Sequence, residues 1–188
     1  MIDEGCIHGR FQPFHNEHLD YALEAFERCI FLWIGLTESF QEEHGMEGPA
    51  HRLTPTANPL SYHERQFMIT RTLVCEGIEP ERFAFVPFPV RTPELLRQFL
   101  ALPTTCFLTI NDDWNRQKRQ LLQSAGYPVE VLYERPKGIE AADIRALLIA
   151  GNDFWRELVP TSVASYLDEI DLATRLRALP SEPPNGQQ

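Results

Sequence analysis

The first 35 residues carry a strand, a helix and a second strand whose hydrophobic patterns leave few ways to fold. Gly5 to His8 ends a short apolar strand. His15 to Arg28 follows with Leu19, Ala22, Leu23 and Phe26 at helical spacing, facing inward. Cys29 to Gly35 (Cys-Ile-Phe-Leu-Trp-Ile-Gly) then runs without a polar interruption, the pattern of a parallel strand buried on both faces. The alternation continues. A capping box of Ser61 and Glu64 opens a helix carrying Phe67, Met68 and Leu73. Strands are predicted at 82–86, 106–110 and 129–133, and helices at 93–102, 115–125, 141–150 and 163–179. This order predicts an α/β fold with a doubly wound parallel sheet, as one domain over residues 1–179. Residues 180–188 are a polar tail expected to be disordered. In such sheets ligands sit at the carboxyl ends of the strands, at the switch point. The turn after the first strand, Gly9 to His18, falls at that place.

The chemistry of that turn is specific. His15 and His18 lie about one helical turn apart, so both rings face one side of a helix start. Backbone N–H groups and the partial positive charge of a helix N-terminus favour a phosphate there. Two imidazoles beside it are placed to hydrogen-bond phosphoryl oxygens as charge builds in a transition state. Residues 37–60, punctuated by Gly45, Gly48-Pro49 and Pro55 with little periodicity, read as a long mobile loop, expected to gain order when ligand binds.

Composition excludes other classes. A net charge of −10 disfavours a generalised basic surface for nucleic acid or an anionic membrane. Cys6, Cys29, Cys75 and Cys106 are scattered without a C-x-x-C pair, which suits reduced thiols rather than a disulfide frame or a zinc site. No signal peptide or membrane-length apolar run is present, so a cytoplasmic protein is expected.

The stretch Gly9-Arg10-Phe11-Gln12-Pro13-Phe14-His15-Asn16-Glu17-His18 resembles the H-x-G-H motif of the nucleotidylyltransferase superfamily, in particular the archaeal-type nicotinamide-mononucleotide (NMN) adenylyltransferases. The resemblance extends from Cys6 to about Leu179. It implies a Rossmann-like nucleotidylyltransferase fold and transfer of a nucleoside monophosphate from ATP, or another nucleoside triphosphate, to a small phosphorylated acceptor, with release of pyrophosphate. Mg²⁺ would arrive with the triphosphate, no metal-ligating residues are assigned, and a homo-oligomer is expected. His15, His18 and Arg145 are the implied catalytic residues. The nucleotide would meet Gly9, Arg10, Phe11, Gln12, Asn111, Lys137 and Ile144 as well. Asn58-Pro59 with Glu64-Arg65 resembles a family element near the acceptor, which makes Asn58, Arg65 and Leu96 the acceptor candidates. Arg65 is also expected to anchor its helix by pairing with a carboxylate.

Several positions depart from the family pattern. Glu17 replaces the Gly between the histidines, and Ile110 replaces a Gly beside Asn111. In Lys137 to Arg145 the family's Ser and Thr, which hold the β- and γ-phosphates, are Glu140 and Ala142, while Ile144 and Arg145 match. The Trp that relatives stack on nicotinamide is absent from residues 93–100, where Leu95 or Leu96 takes its place and Phe99 reads as core. Arg116, Lys118 and Arg119 form a small basic cluster that reads as a solvated helix face, from which one could reach an acceptor phosphate. Chemistry kept with an altered pocket predicts that NMN is a poor acceptor. A CTP-dependent cytidylyltransferase for a small phosphate or phosphonate is the alternative enzyme. A non-catalytic nucleotide-binding regulator is the alternative of another class, opposed by the intact histidine pair.

Overall fold

A computed structural model describes residues 1–37 and 54–179. Most of the loop predicted over 37–60 and the tail at 180–188 lie outside the described residues. The chain forms β1 (Ile2–Gly9), α1 (Asn16–Phe26), β2 (Cys29–Leu36), α2 (Tyr62–Cys75), β3 (Phe83–Pro87), α3 (Pro93–Leu96), β4 (Thr105–Ile110), α4 (Asp113–Ser124), β5 (Val129–Glu134), α5 (Ala141–Ala150), α6 (Thr161–Glu169) and α7 (Leu172–Ala178). Five parallel strands make one sheet in the order β3-β2-β1-β4-β5. The winding direction therefore reverses between β1 and β4, which is where a crevice opens at the carboxyl ends.

Each face of the sheet has its own core. Ile7, Leu32 and Ile34 pack on one side with Phe26 of α1, Met68 of α2, Ile144 of α5 and Val163 of α6. Cys6, Cys106 and Leu108 pack on the other with Phe88, Leu96, Leu100 and Leu122 of α4. The inward face of α1 is Tyr21, Ala22, Ala25 and Phe26, one step round from the predicted face, and Leu23 is half-buried. The capping box on α2 forms as expected: Glu64 N–H donates to Ser61 Oγ at 3.2 Å and Ser61 N–H to Glu64 Oε2 at 2.8 Å. Glu64 also takes Arg175 of α7 at 2.7 Å, tying the C-terminal helix to α2.

Two predicted helices differ. The helix expected over 93–102 stops at Leu96 and runs on as turns, with Phe99 N–H on the Leu96 carbonyl at 2.9 Å, while Leu96 and Leu100 pack into the second core. The terminal helix expected over 163–179 is two helices, broken at Asp171. That residue sits in the left-handed region with φ 47° and caps α7 through its side chain to Thr174 N–H. Asp tolerates that conformation at a cap far better than a branched residue does.

Candidate active site

The strand–turn–helix after β1 is built around aromatic rings. Phe11 is buried with φ 52°, a strained conformation for a bulky residue. Its ring lies over Gly9, where a Cβ would stand 2.8 Å from it. Phe11 in turn meets His18 edge-on at 4.9 Å between ring centres. His15 is the N-cap of α1 rather than a helical residue, with extended backbone, and its ring stacks on His18 at 3.5 Å. The His15 N–H points at Nδ1 of His18, 3.3 Å away. That leaves the proton of a neutral His18 on Nε2. Burial holds the His15 imidazole down to about 3, with the Lys137 charge adding to it. His18 is held well below its ordinary range by burial first, then by His15, Lys137 and Arg10. Both histidines are therefore neutral donors at neutral pH.

The second wall is the N-terminus of α5. Glu140, its N-cap, makes no capping hydrogen bond. Instead it lies 3.4 Å from Lys137 Nζ, which also stands 3.9 Å from Asp112. The lysine thus offsets the carboxylate that replaces the family's hydroxyl. Glu17 has a structural use as well. Its carboxylate accepts the backbone N–H groups of Gly138 at 3.0 Å and Ile139 at 3.3 Å, clamping the loop before α5 onto α1.

A cavity of about 240 Å³ lies between these walls. Of the predicted residues, it brings together Gly9, Arg10, Phe11, Gln12, His15, His18, Asn111 and Lys137. The others stand elsewhere, for identifiable reasons. Ile144 is wholly buried in the first core and Leu96 in the second. Asn58 turns its amide to the Thr54 carbonyl at 3.3 Å, outside the cavity wall among the described residues. Arg65 is 2% exposed and donates to the carbonyls of Arg10 at 2.9 Å and Thr37 at 2.8 Å, which anchors α2 to the turn after β1, and it is not among the residues that line the cavity. Arg145 donates to the Gln12 carbonyl at 2.7 Å, away from the cavity wall, where the resemblance placed it on phosphate. The Gln12 side chain clasps the Leu60 backbone, donating to its carbonyl at 2.8 Å and accepting its N–H at 2.9 Å. Arg10 and Gln12 are thus held by donors from two remote segments, Leu60 and Arg65 in one and Arg145 in the other.

Sequence reasoning missed His8, Phe88 and Arg91, which line one part of the cavity together with Trp114 and Lys118. His8 stacks on Phe88 at 4.2 Å with the rings within 5° of parallel. Arg91 lies over the Trp114 ring at 4.7 Å. A histidine closing the apolar run Cys6-Ile7-His8 was the available signal. Of the predicted basic cluster, Lys118 reaches the cavity, while Arg116 pairs with Asp113 and Glu134 at the surface. No cluster of three or more His, Cys, Asp or Glu suited to a metal occurs among the described residues.

No family model matches the chain. Individual relatives do. Phosphonoformate cytidylyltransferase of Streptomyces viridochromogenes is 34% identical over 177 residues, 93% of this chain and 95% of that protein. Nicotinamide-nucleotide adenylyltransferase of Ignicoccus hospitalis is 34% identical over 185 residues, 91% and 94%. The same-named enzyme of Saccharolobus solfataricus is 32% identical over 181 residues, 95% and 97%. A solved bifunctional NMN adenylyltransferase/ADP ribose pyrophosphatase from Francisella tularensis superposes with a TM-score of 0.68 at 20% identity, over 95% of this chain and 53% of that one. The chain thus spans about half of that two-function protein, and the likeness there is one of fold. These relatives define the class as enzymes of nucleotidyl transfer. More narrowly, the chain belongs to the nucleotidylyltransferase superfamily, in the group that holds the archaeal nicotinamide-nucleotide adenylyltransferases.

Proposed function

We propose that the cleft transfers a nucleotidyl group from a magnesium nucleoside triphosphate to a small phosphonate or phosphate, with CTP as donor, rather than to NMN. The observation that carries this is the state of the two aromatic faces at the His8 end. Phe88 is covered by the His8 ring, and Trp114 by the Arg91 guanidinium. With one face of each ring taken, little flat aromatic surface is left beside His8 for a nicotinamide ring, whereas the cations nearby suit a compact anion. The cytidylyl activity in the name of the Streptomyces relative supports the choice of base. Adenylyl transfer from ATP to NMN is the second reading, favoured by the names of the archaeal relatives.

In either reading an acceptor oxygen attacks the α-phosphorus, the bond to the bridging oxygen of the β-phosphate breaks, and pyrophosphate leaves. The nucleophile is already an anion, so no covalent enzyme intermediate or general base is needed. The protein supplies position and charge stabilisation. His15 and His18 would donate to the α-phosphate, most directly from His18 Nε2. Arg10 and Lys137 would neutralise the β- and γ-oxygens at the N-termini of α1 and α5. Arg145 would act by holding the Gln12 carbonyl, and so the turn that carries the histidines. Steady-state pyrophosphate release with CTP and phosphonoformate, against ATP and NMN, tests the proposal. The phosphonate pair is expected to have a specificity constant at least roughly tenfold higher. A value with ATP and NMN of about 10⁴ M⁻¹s⁻¹ or more, above that of the phosphonate pair, would establish the second reading.

A further inference from the structure

His8, the second-to-last residue of β1, is 6% exposed, yet neither ring nitrogen has a hydrogen-bond partner among the described residues. Buried polar groups without partners are rare because desolvation is then uncompensated. The ring also lines the cavity, so its nitrogens are buried beside space that a ligand fills. Its position is fixed from beneath. Phe88 forms the shelf on which the imidazole stacks, and Gly35 lies opposite His8 in the β1–β2 register. A Cβ on Gly35 would stand 2.4 Å from the Phe88 ring, so the absent side chain makes room for the shelf. Phe88 and the space left by Gly35 therefore hold an imidazole in a place where none of the described residues uses its nitrogens. Burial and the Lys118 charge keep that imidazole neutral, with one N–H to give.

We propose that His8 is an acceptor-recognising residue, hydrogen-bonding an oxyanion on the part of the acceptor that points away from the reacting phosphorus. This rests on the cleft reading given above. The histidine pair, Lys137 and the α5 N-terminus take the triphosphate and the attacking oxygen. His8 lines the same cavity as Arg91, which lies over Trp114, and Lys118, whose charge acts on the His8 ring. Two cations and a neutral donor suit a second anionic group, so the acceptor class is a compact phosphonate or phosphate that also bears a carboxylate or a second acid.

The test compares wild type with His8→Leu and His8→Gln, using phosphonoformate and methylphosphonate as acceptors with CTP and ATP. Removing an unpartnered polar ring should leave the fold intact, which thermal unfolding checks. In His8→Leu the KM for phosphonoformate should rise roughly ten- to a hundredfold, the scale of one hydrogen bond to a charged group. The donor KM and kcat should stay within about threefold, and His8→Gln, which keeps an N–H, should recover part of the loss. Wild type should prefer phosphonoformate over methylphosphonate, and His8→Leu should lose most of that preference. A folded His8→Leu with wild-type acceptor KM and preference would overturn the proposal. If the leucine variant does not fold, the His8 ring resonances of wild type decide instead: no shift on saturation with phosphonoformate overturns it. Wild type that uses NMN and ignores phosphonoformate would overturn the functional reading itself, before any variant is compared.

Discussion

At the scale of single residues, the proposed chemistry rests on histidines kept neutral by their surroundings. Two imidazoles 3.5 Å apart repel if both are charged, and each already sits near Lys137 or Arg10. In the proposed mechanism they would meet a triphosphate as dipoles, so that stabilisation would appear mainly as charge develops. His18→Ala is expected to lower turnover by about a hundredfold or more, the scale of one preorganised donor, with an unchanged circular dichroism spectrum. Near-normal turnover would remove that role. Glu17 invites a different test, since its carboxylate holds two amides rather than a ligand. Glu17→Gly restores the family's residue and frees those amides. Hydrogen exchange at Gly138 and Ile139 should then quicken by roughly tenfold or more, read by amide NMR. The histidine pair was legible in the sequence because residue type and spacing alone define it. Glu17 was not, because its partners lie about 120 positions away and are backbone groups that no side-chain pattern reveals.

At the scale of elements, Arg65 shows what a sequence conceals. Its charge was visible and its depth was not. Placed at the start of α2, it was read both as an anchor of its helix and as an acceptor candidate, and it lies under the turn after β1 with the carbonyls of Arg10 and Thr37 among its partners. Arg65→Ala would strand both carbonyls in the interior, at about 1–3 kcal/mol each. The expected loss of stability is about 3 kcal/mol, measured by urea unfolding, whereas an acceptor ligand would show mainly in KM. The β-strands and the α2 and α5 starts were read nearly to the residue, because buried parallel strands and helix caps leave local signals. The break at Asp171 left none, since hydrophobic residues keep helical spacing across it.

At the scale of the whole molecule, pH links the site to the fold. His8, His15 and His18 all have folded values below the ordinary value of about 6.5. The unfolded chain therefore binds more protons than the folded one below that pH. Stability is fully present above about pH 6.5 and is lost as the pH falls toward 3, the value that marks His15. Each histidine contributes a slope of up to about 1.4 kcal/mol per pH unit. Urea midpoints should fall between pH 7 and pH 5, and His8→Leu should flatten that fall. A midpoint independent of pH over this range would mean that these rings are solvated and ordinary.

The turn at residues 10–13 is made early in the chain, but two of its carbonyls are gripped by Arg65 and Arg145, the second of them 133 positions beyond Gln12. During synthesis on the ribosome the signature sequence is therefore exposed long before it takes its working shape. A nascent chain released before residue 145 would carry both histidines and still lack the grip that sets their turn. Competence to hold nucleotide should therefore arrive late and abruptly as translation proceeds.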